Sequence, residues 1–119
     1  MATPDLDLVA QTWVVDTFIE NETATAYNLA SDPTVTFSED GTFSMFGGCN
    51  EFAGNYATSG SDITFSEIVS TDMECFDSSI QDVEMLMSSV FSEGTASYEV
   101  DANRLTIERG DDAISALAE

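Results

Sequence analysis

Apolar residues alternate with polar ones along most of this chain, and a period of two is the signature of half-buried strands. Trp13 and Val15 share one face of the first alternating run, and Val35 and Phe37 share one face of "TVTFS". The tripeptide "EDG", Glu39 to Gly41, tolerates the left-handed backbone of a tight turn. It returns the chain into "TFSMF", where Phe43 and Met45 point the same way, so a hairpin is predicted here. Phe52, Gly54 and Tyr56 form the next set, followed by Ile63 with Phe65, then Ala96, Tyr98 and Val100, then Leu105 and Ile107. The tail "AISALA" is expected to add a closing or edge strand. Residues 21–32 have no clear period and are expected to form a long loop or an irregular strand.

One segment breaks the alternation. In "FDSSIQDVEMLMSSVFSEG", Ile80, Val83, Met87 and Val90 recur every three or four residues, with Leu86 and Phe91 widening the stripe. Ser78 with Gln81 makes a capping box, Asp82 and Glu84 suit the positive N-terminal end of a helix, and Gly94 fits its C-terminal cap. A methionine-rich stripe also suits a soft peptide groove, but a helix lying on a sheet needs such a stripe, and core packing is the simpler reading. The predicted class is α+β, mainly β: a curved antiparallel sheet or a partly open (cracked) β-barrel with one α-helix packed against it. No repeat or linker interrupts the 119 residues, so a single domain over 1–119, with its core at roughly 12–117, is expected.

Charge narrows the partners. The chain holds 23 Asp and Glu against two Arg, with no Lys and no His, for a formal net charge of −21. Such a surface repels phosphate backbones and anionic headgroups, which excludes nucleic acid and acidic membranes as direct partners. It suits a chain solvated in a salty medium. A carboxylate cation site is the lesser alternative, since no D-x-[DN]-x-[DN]-G loop is present. No run of about eighteen apolar residues exists, so no helical membrane insertion is expected. "MATPDLDLVAQ" lacks the basic and apolar regions of a signal peptide, which fits a mature exported chain whose leader is gone.

The same composition removes most catalytic chemistry. Without His, Ser-His and Cys-His nucleophile pairs and His-ligated metals are impossible, and without Lys so is Schiff-base chemistry. Paired carboxylates could cleave glycosides, but nothing in the sequence selects a pair from 23 acids. The expectation is a protein without catalytic residues, cofactor or metal. Cys49 and Cys75 are too far apart for a redox C-x-x-C pair; a structural disulfide and two small buried thiols both remain open. "NET" at Asn21 is a glycosylation sequon meaningful only in a eukaryotic secretory route, and "RGD" at Arg109 to Asp111 reads as a hairpin turn between two strands.

The stretch "GGCNEFAGNY" resembles the Gly-Cys-Asn…Phe…Gly…Tyr signature of the META-domain (HslJ-like) family. Gly47, Gly48, Cys49, Asn50, Phe52, Gly54 and Tyr56 carry that resemblance. Trp13, Pro33, Phe37 and "EDG" precede it in the family's order, and "STDMEC" supplies Thr71, Met73 and Cys75. Glu51 and Asp72 stand where relatives often have basic residues. The resemblance implies a small barrel-like domain with one helix, exported or lipid-anchored at the bacterial envelope: periplasmic, outer-membrane-anchored or secreted. It implies links to heat-shock and stress response, and it brings no established catalytic residues. It implies, too, that Cys49 faces Cys75, that Gly47 and Gly48 make a bend, and that Asn50 occupies a turn or left-handed position. The functional expectation is a monomeric, non-enzymatic envelope domain of a halophilic or marine bacterium, binding a protein or small apolar ligand. The alternative is a secreted inhibitor or interaction module that sets acidic loops against a basic protein.

Overall fold

A computed structural model describes residues 7–9, 11–25, 32–71, 73–74 and 78–119. In chain order these form β1 (Thr12–Glu20), β2 (Thr23–Thr25), β3 (Thr34–Phe37), β4 (Thr42–Phe46), β5 (Glu51–Ser59), β6 (Asp62–Ser70), α1 (Ser78–Val90), β7 (Gly94–Asp101), β8 (Arg104–Arg109) and β9 (Asp112–Ala118). Each strand pairs antiparallel with its neighbour in the order β2-β1-β3-β4-β5-β6-β7-β8-β9, and β1 also pairs with β9. The last pairing closes eight strands into a barrel, with β2 as a short extension beside the far end of β1. The tail "AISALA" is thus the closing strand. The stretch 21–32 holds the β1–β2 turn, where Asn21 and Glu22 take φ of 51° and 65°, and then β2; residues 26–31 lie outside the described set.

Alternation puts the expected residues inside. Trp13, Val15, Val35, Phe37, Phe43, Met45, Ile63, Phe65, Ala96, Leu105 and Ile107 are buried. So are Val83, Leu86, Met87, Val90 and Phe91 from the helical segment, which packs against the barrel and joins its core. Phe43, Phe65 and Phe91 pack with ring centroids 5.2 to 5.9 Å apart. Trp13 donates its indole N–H to the Leu8 carbonyl at 2.9 Å, so its polar edge is satisfied. Ile80 differs from its neighbours in the stripe: it is only half-buried, because it lies over Gly48 rather than inside the barrel.

Two bulges shape the sheet. One extra residue in β1, Asp16, lets Phe18 rather than Thr17 continue the inward face. Its carboxylate takes both terminal nitrogens of Arg104 at 2.8 and 3.0 Å, and this pairing holds the Asp16 carboxyl below its ordinary range. The second bulge lies in β6, where Glu67 sits at φ 53° opposite Gly54. A Cβ on Gly54 would meet the Phe43 ring and the Ser66 carbonyl oxygen, each at 3.0 Å, so glycine is required by close approach. Just before this bulge β6 leaves its other neighbour: only Asp62 to Phe65 pair with β7.

The helix ends are built otherwise than local rules suggest. Helix α1 stops at Val90, and Gly94 is not its cap but the first residue of β7, at φ 119°. Arg109 donates instead to the Ser92 and Glu93 carbonyls at 2.5 and 2.6 Å, closing the chain that leaves the helix. The arginine of "RGD" is therefore spent internally, and Gly110 makes the β8–β9 turn at φ 63°.

Candidate functional site

The Gly-Gly-Cys-Asn loop joins β4 to β5 and wraps a carboxylate. Glu84 stands in the middle of α1, one face from solvent in spacing yet only 8% exposed. Its Oε2 accepts from the backbone N–H of Cys49 at 3.0 Å and of Asn50 at 2.6 Å, while Oε1 accepts from Asn50 Nδ2 at 3.0 Å. Successive amides converging on one anion form a nest, here filled by the protein's own side chain. Gly47 permits the approach: a Cβ there would lie 2.8 Å from Glu84 Cγ and 2.9 Å from Oε2. Gly48 makes the bend at φ 110° with Ile80 beneath it. Glu84 therefore does not serve the helix N-terminus, whose first turn holds no acid; it anchors the loop.

Asn50 is the hub of this arrangement, and it is not a left-handed turn residue, since the positive φ belongs to Gly48. Its Oδ1 accepts from Thr71 Oγ1 at 3.0 Å and from the Met73 N–H at 2.7 Å, and its Nδ2 also reaches the Met73 carbonyl at 3.3 Å. Thr71 completes the tie: Oγ1 accepts from the Glu51 N–H, and its own N–H donates to the Glu51 carbonyl, both at 2.9 Å. One amide side chain thus fastens the loop, the chain leaving β6, and α1. Cys49 Sγ lies 3.9 Å from the Glu74 carbonyl oxygen; Cys75 lies outside the described residues. Tyr56 is apart from this cluster. It packs edge-on against Phe37 at 4.9 Å and donates its hydroxyl to the Ser38 carbonyl at 2.8 Å.

The same arrangement opens a trough. Where β6 parts from β7, an upper cavity of about 570 Å³ runs beneath Asn50, Thr71 and Met73, and a lower one of about 260 Å³ is floored by Phe43, Met45, Ile68 and Phe91. Phe52, Ser70 and Ser88 belong to both walls, so the two are continuous. Gln81, Met85 and Ser88 line the trough from α1 beside Glu84, whose carboxylate is taken up by the loop amides. Met73 and Met85, at its mouth, are 55% and 73% exposed. Of the residues singled out from sequence, Asn50, Phe52, Thr71 and Met73 meet here; Trp13, Gly54 and Tyr56 do not. Glu84, expected only to suit the helix N-terminus, joins the first set, and its place four residues after Ile80 and three before Met87 put an acid on the apolar stripe.

The chain forms a closed eight-strand antiparallel barrel with one helix packed against it and the β4–β5 loop clamped on that helix, rather than an open sheet. The chain belongs to the META domain family, whose model matches residues 6–119. Three solved structures share the fold. An NMR structure of a protein from Burkholderia xenovorans superposes with a TM-score of 0.73 at 19% identity, covering 100% of this chain and 92% of the other. A second NMR structure gives 0.70 at 21% identity over 90% and 87% of the two chains. A crystal structure of a DUF4847 family protein from Bacteroides vulgatus gives 0.60 at 15% over 92% and 93%. A search of curated proteins returned no match. Among the described residues no helix is long and apolar enough to cross a membrane.

Proposed function

We propose that this is a non-enzymatic domain, exported or held at the bacterial envelope in a salt-rich medium, that binds a protein or small apolar ligand. The trough carries the reading. It is an apolar floor between β6 and α1, lined from the helix by Gln81, Met85, Ser88 and the loop-bound Glu84, in a molecule of strongly acidic composition. The family's polar motif supports it from the other side: Asn50 and Thr71 bond each other, and Asn50 also holds Glu84, so these groups position the trough's rim instead of facing a reacting atom. A role in stress response accords with a domain that captures exposed apolar surface.

Nile red, a neutral dye, should brighten on binding the trough. Ser88→Phe, which fills it from an exposed helix position, should reduce the enhancement at least about fivefold while the circular dichroism stays native. Equal enhancement in both proteins would reject the trough as the binding site.

The domain is further proposed to carry a Cys49–Cys75 bridge, which the approach of Cys49 Sγ to Glu74, the residue before Cys75, supports. Such a bridge would stabilise by about 3 to 4 kcal/mol in the chain-entropy model. Thiol titration of the denatured, unreduced protein should find almost no reactive sulfur. Two reactive thiols would rule the bridge out.

A further inference from the structure

We infer that the trough takes an extended, basic polypeptide segment, which adds as a strand to the outer half of β6. This rests on the reading of the trough as the binding site and goes on to name its occupant. The backbone sets the phase. The Thr71 N–H donates to the Glu51 carbonyl, and Ala53 pairs with Val69 and Phe52 with Ser70. Thr71 and Val69 therefore turn their backbone groups to β5, and Ile68 and Ser70 turn theirs to the opposite edge. Along that edge β7 stops at Phe65, and among the described residues no strand pairs with β6 beyond it. A row of backbone donors and acceptors beside an apolar trough is the arrangement that captures a strand.

Charge decides which strand. A second copy of this chain would bring another −21, and acidic lipid or nucleic acid would be repelled in the same way. A segment alternating apolar with Lys or Arg residues is complementary on both faces. Its apolar side chains would meet the half-buried Phe52 and Ile68, which line the trough over the buried Phe43, Met45 and Phe91. Its cations would meet the exposed Glu93 on the rim and the acids of the surrounding surface, through the field of the whole molecule. Neither arginine competes for these acids, since Arg104 is held by Asp16 and Arg109 by carbonyls. Glycine-free alternation matters because a strand presents its side chains to opposite faces in turn.

The test uses the whole chain, labelled with nitrogen-15, at the lowest salt at which it is folded. The probe is a short synthetic peptide alternating lysine with valine and leucine. Binding should shift the Ile68 and Ser70 amides and protect them from exchange. Affinity should fall at least about tenfold when alternate peptide nitrogens are methylated, and again in the Ser70→Pro protein, which loses an edge donor that does not bond β5. Replacing the peptide lysines with glutamate should abolish binding. Unshifted Ile68 and Ser70 amides, or undiminished binding of the methylated peptide, would overturn strand addition. Equal binding of the glutamate peptide would overturn the choice of a basic partner. Neither result touches the dye experiment, so the trough reading stands or falls separately.

Discussion

Glu84→Ala will destabilise the domain by about 4 kcal/mol, the reverse of what removing an acid from so acidic a chain should do. The carboxylate accepts the Cys49 and Asn50 amides and the Asn50 side chain, at 2.6 to 3.0 Å. Hydrogen bonds to a charged group contribute about 1.5–3 kcal/mol each, less than additively, and their loss here strands donors under a buried side chain. Alanine at the exposed Asp82, two residues earlier, only relieves repulsion and should leave stability unchanged or slightly raised. Glu84→Gln should fall between, at about 2 kcal/mol. One of its terminal groups would become a donor facing Asn50 Nδ2, and Asn50 cannot turn because Thr71 and Met73 hold its oxygen. Gly47→Ala should approach the cost of the alanine variant by expelling the carboxylate. Urea unfolding of the four proteins measures the series. A Glu84→Ala change no larger than that of Asp82→Ala would show that the nest contributes nothing.

Thermal stability will also rise steeply with sodium chloride, by on the order of 20 °C between about 0.01 and 1 M. Two arginines cannot answer 23 acids, so the mean interaction among the carboxylates is repulsive, and folding brings them closer. The radius of gyration is 13.6 Å, well inside the Debye length of about 30 Å at 0.01 M, so charges repel across the whole molecule. At 1 M that length is about 3 Å, and only neighbours interact. Among the described residues no group of three or more His, Cys, Asp or Glu is placed to hold a metal. A calcium response much larger than that of sodium at matched ionic strength would point to a specific cation site instead. The Asp16–Arg104 pair runs against the trend, but at 37% and 39% side-chain exposure it is a surface pair that adds little. Because its Asp16 pKa is lowered, that small contribution is present above the ordinary carboxylate range and is lost as pH falls through the depressed value. A melting midpoint that does not move with salt would mean the acids are already neutralised.

What the sequence determined by itself was whatever depends on neighbours along the chain. A period of two put Val35, Phe37, Phe43 and Met45 inside, and a period near 3.6 put Val83, Met87 and Val90 inside, because backbone geometry alone assigns those faces. Tertiary structure decided where distant segments meet. Local rules assigned Glu84 to a helix dipole and Gly94 to a helix cap; the fold gave the first to the Cys49 and Asn50 amides and put Arg109 where a cap would stand. Gly54 read as one position in an alternating strand, and its reason, a β6 backbone bulging toward it at Glu67, lies across the sheet. The closure of β1 on β9 and the early parting of β6 from β7 are likewise matters of register between remote strands. An unpaired buried donor is intolerable wherever its partner lies in sequence, and only the folded chain shows which partner is near enough to take it.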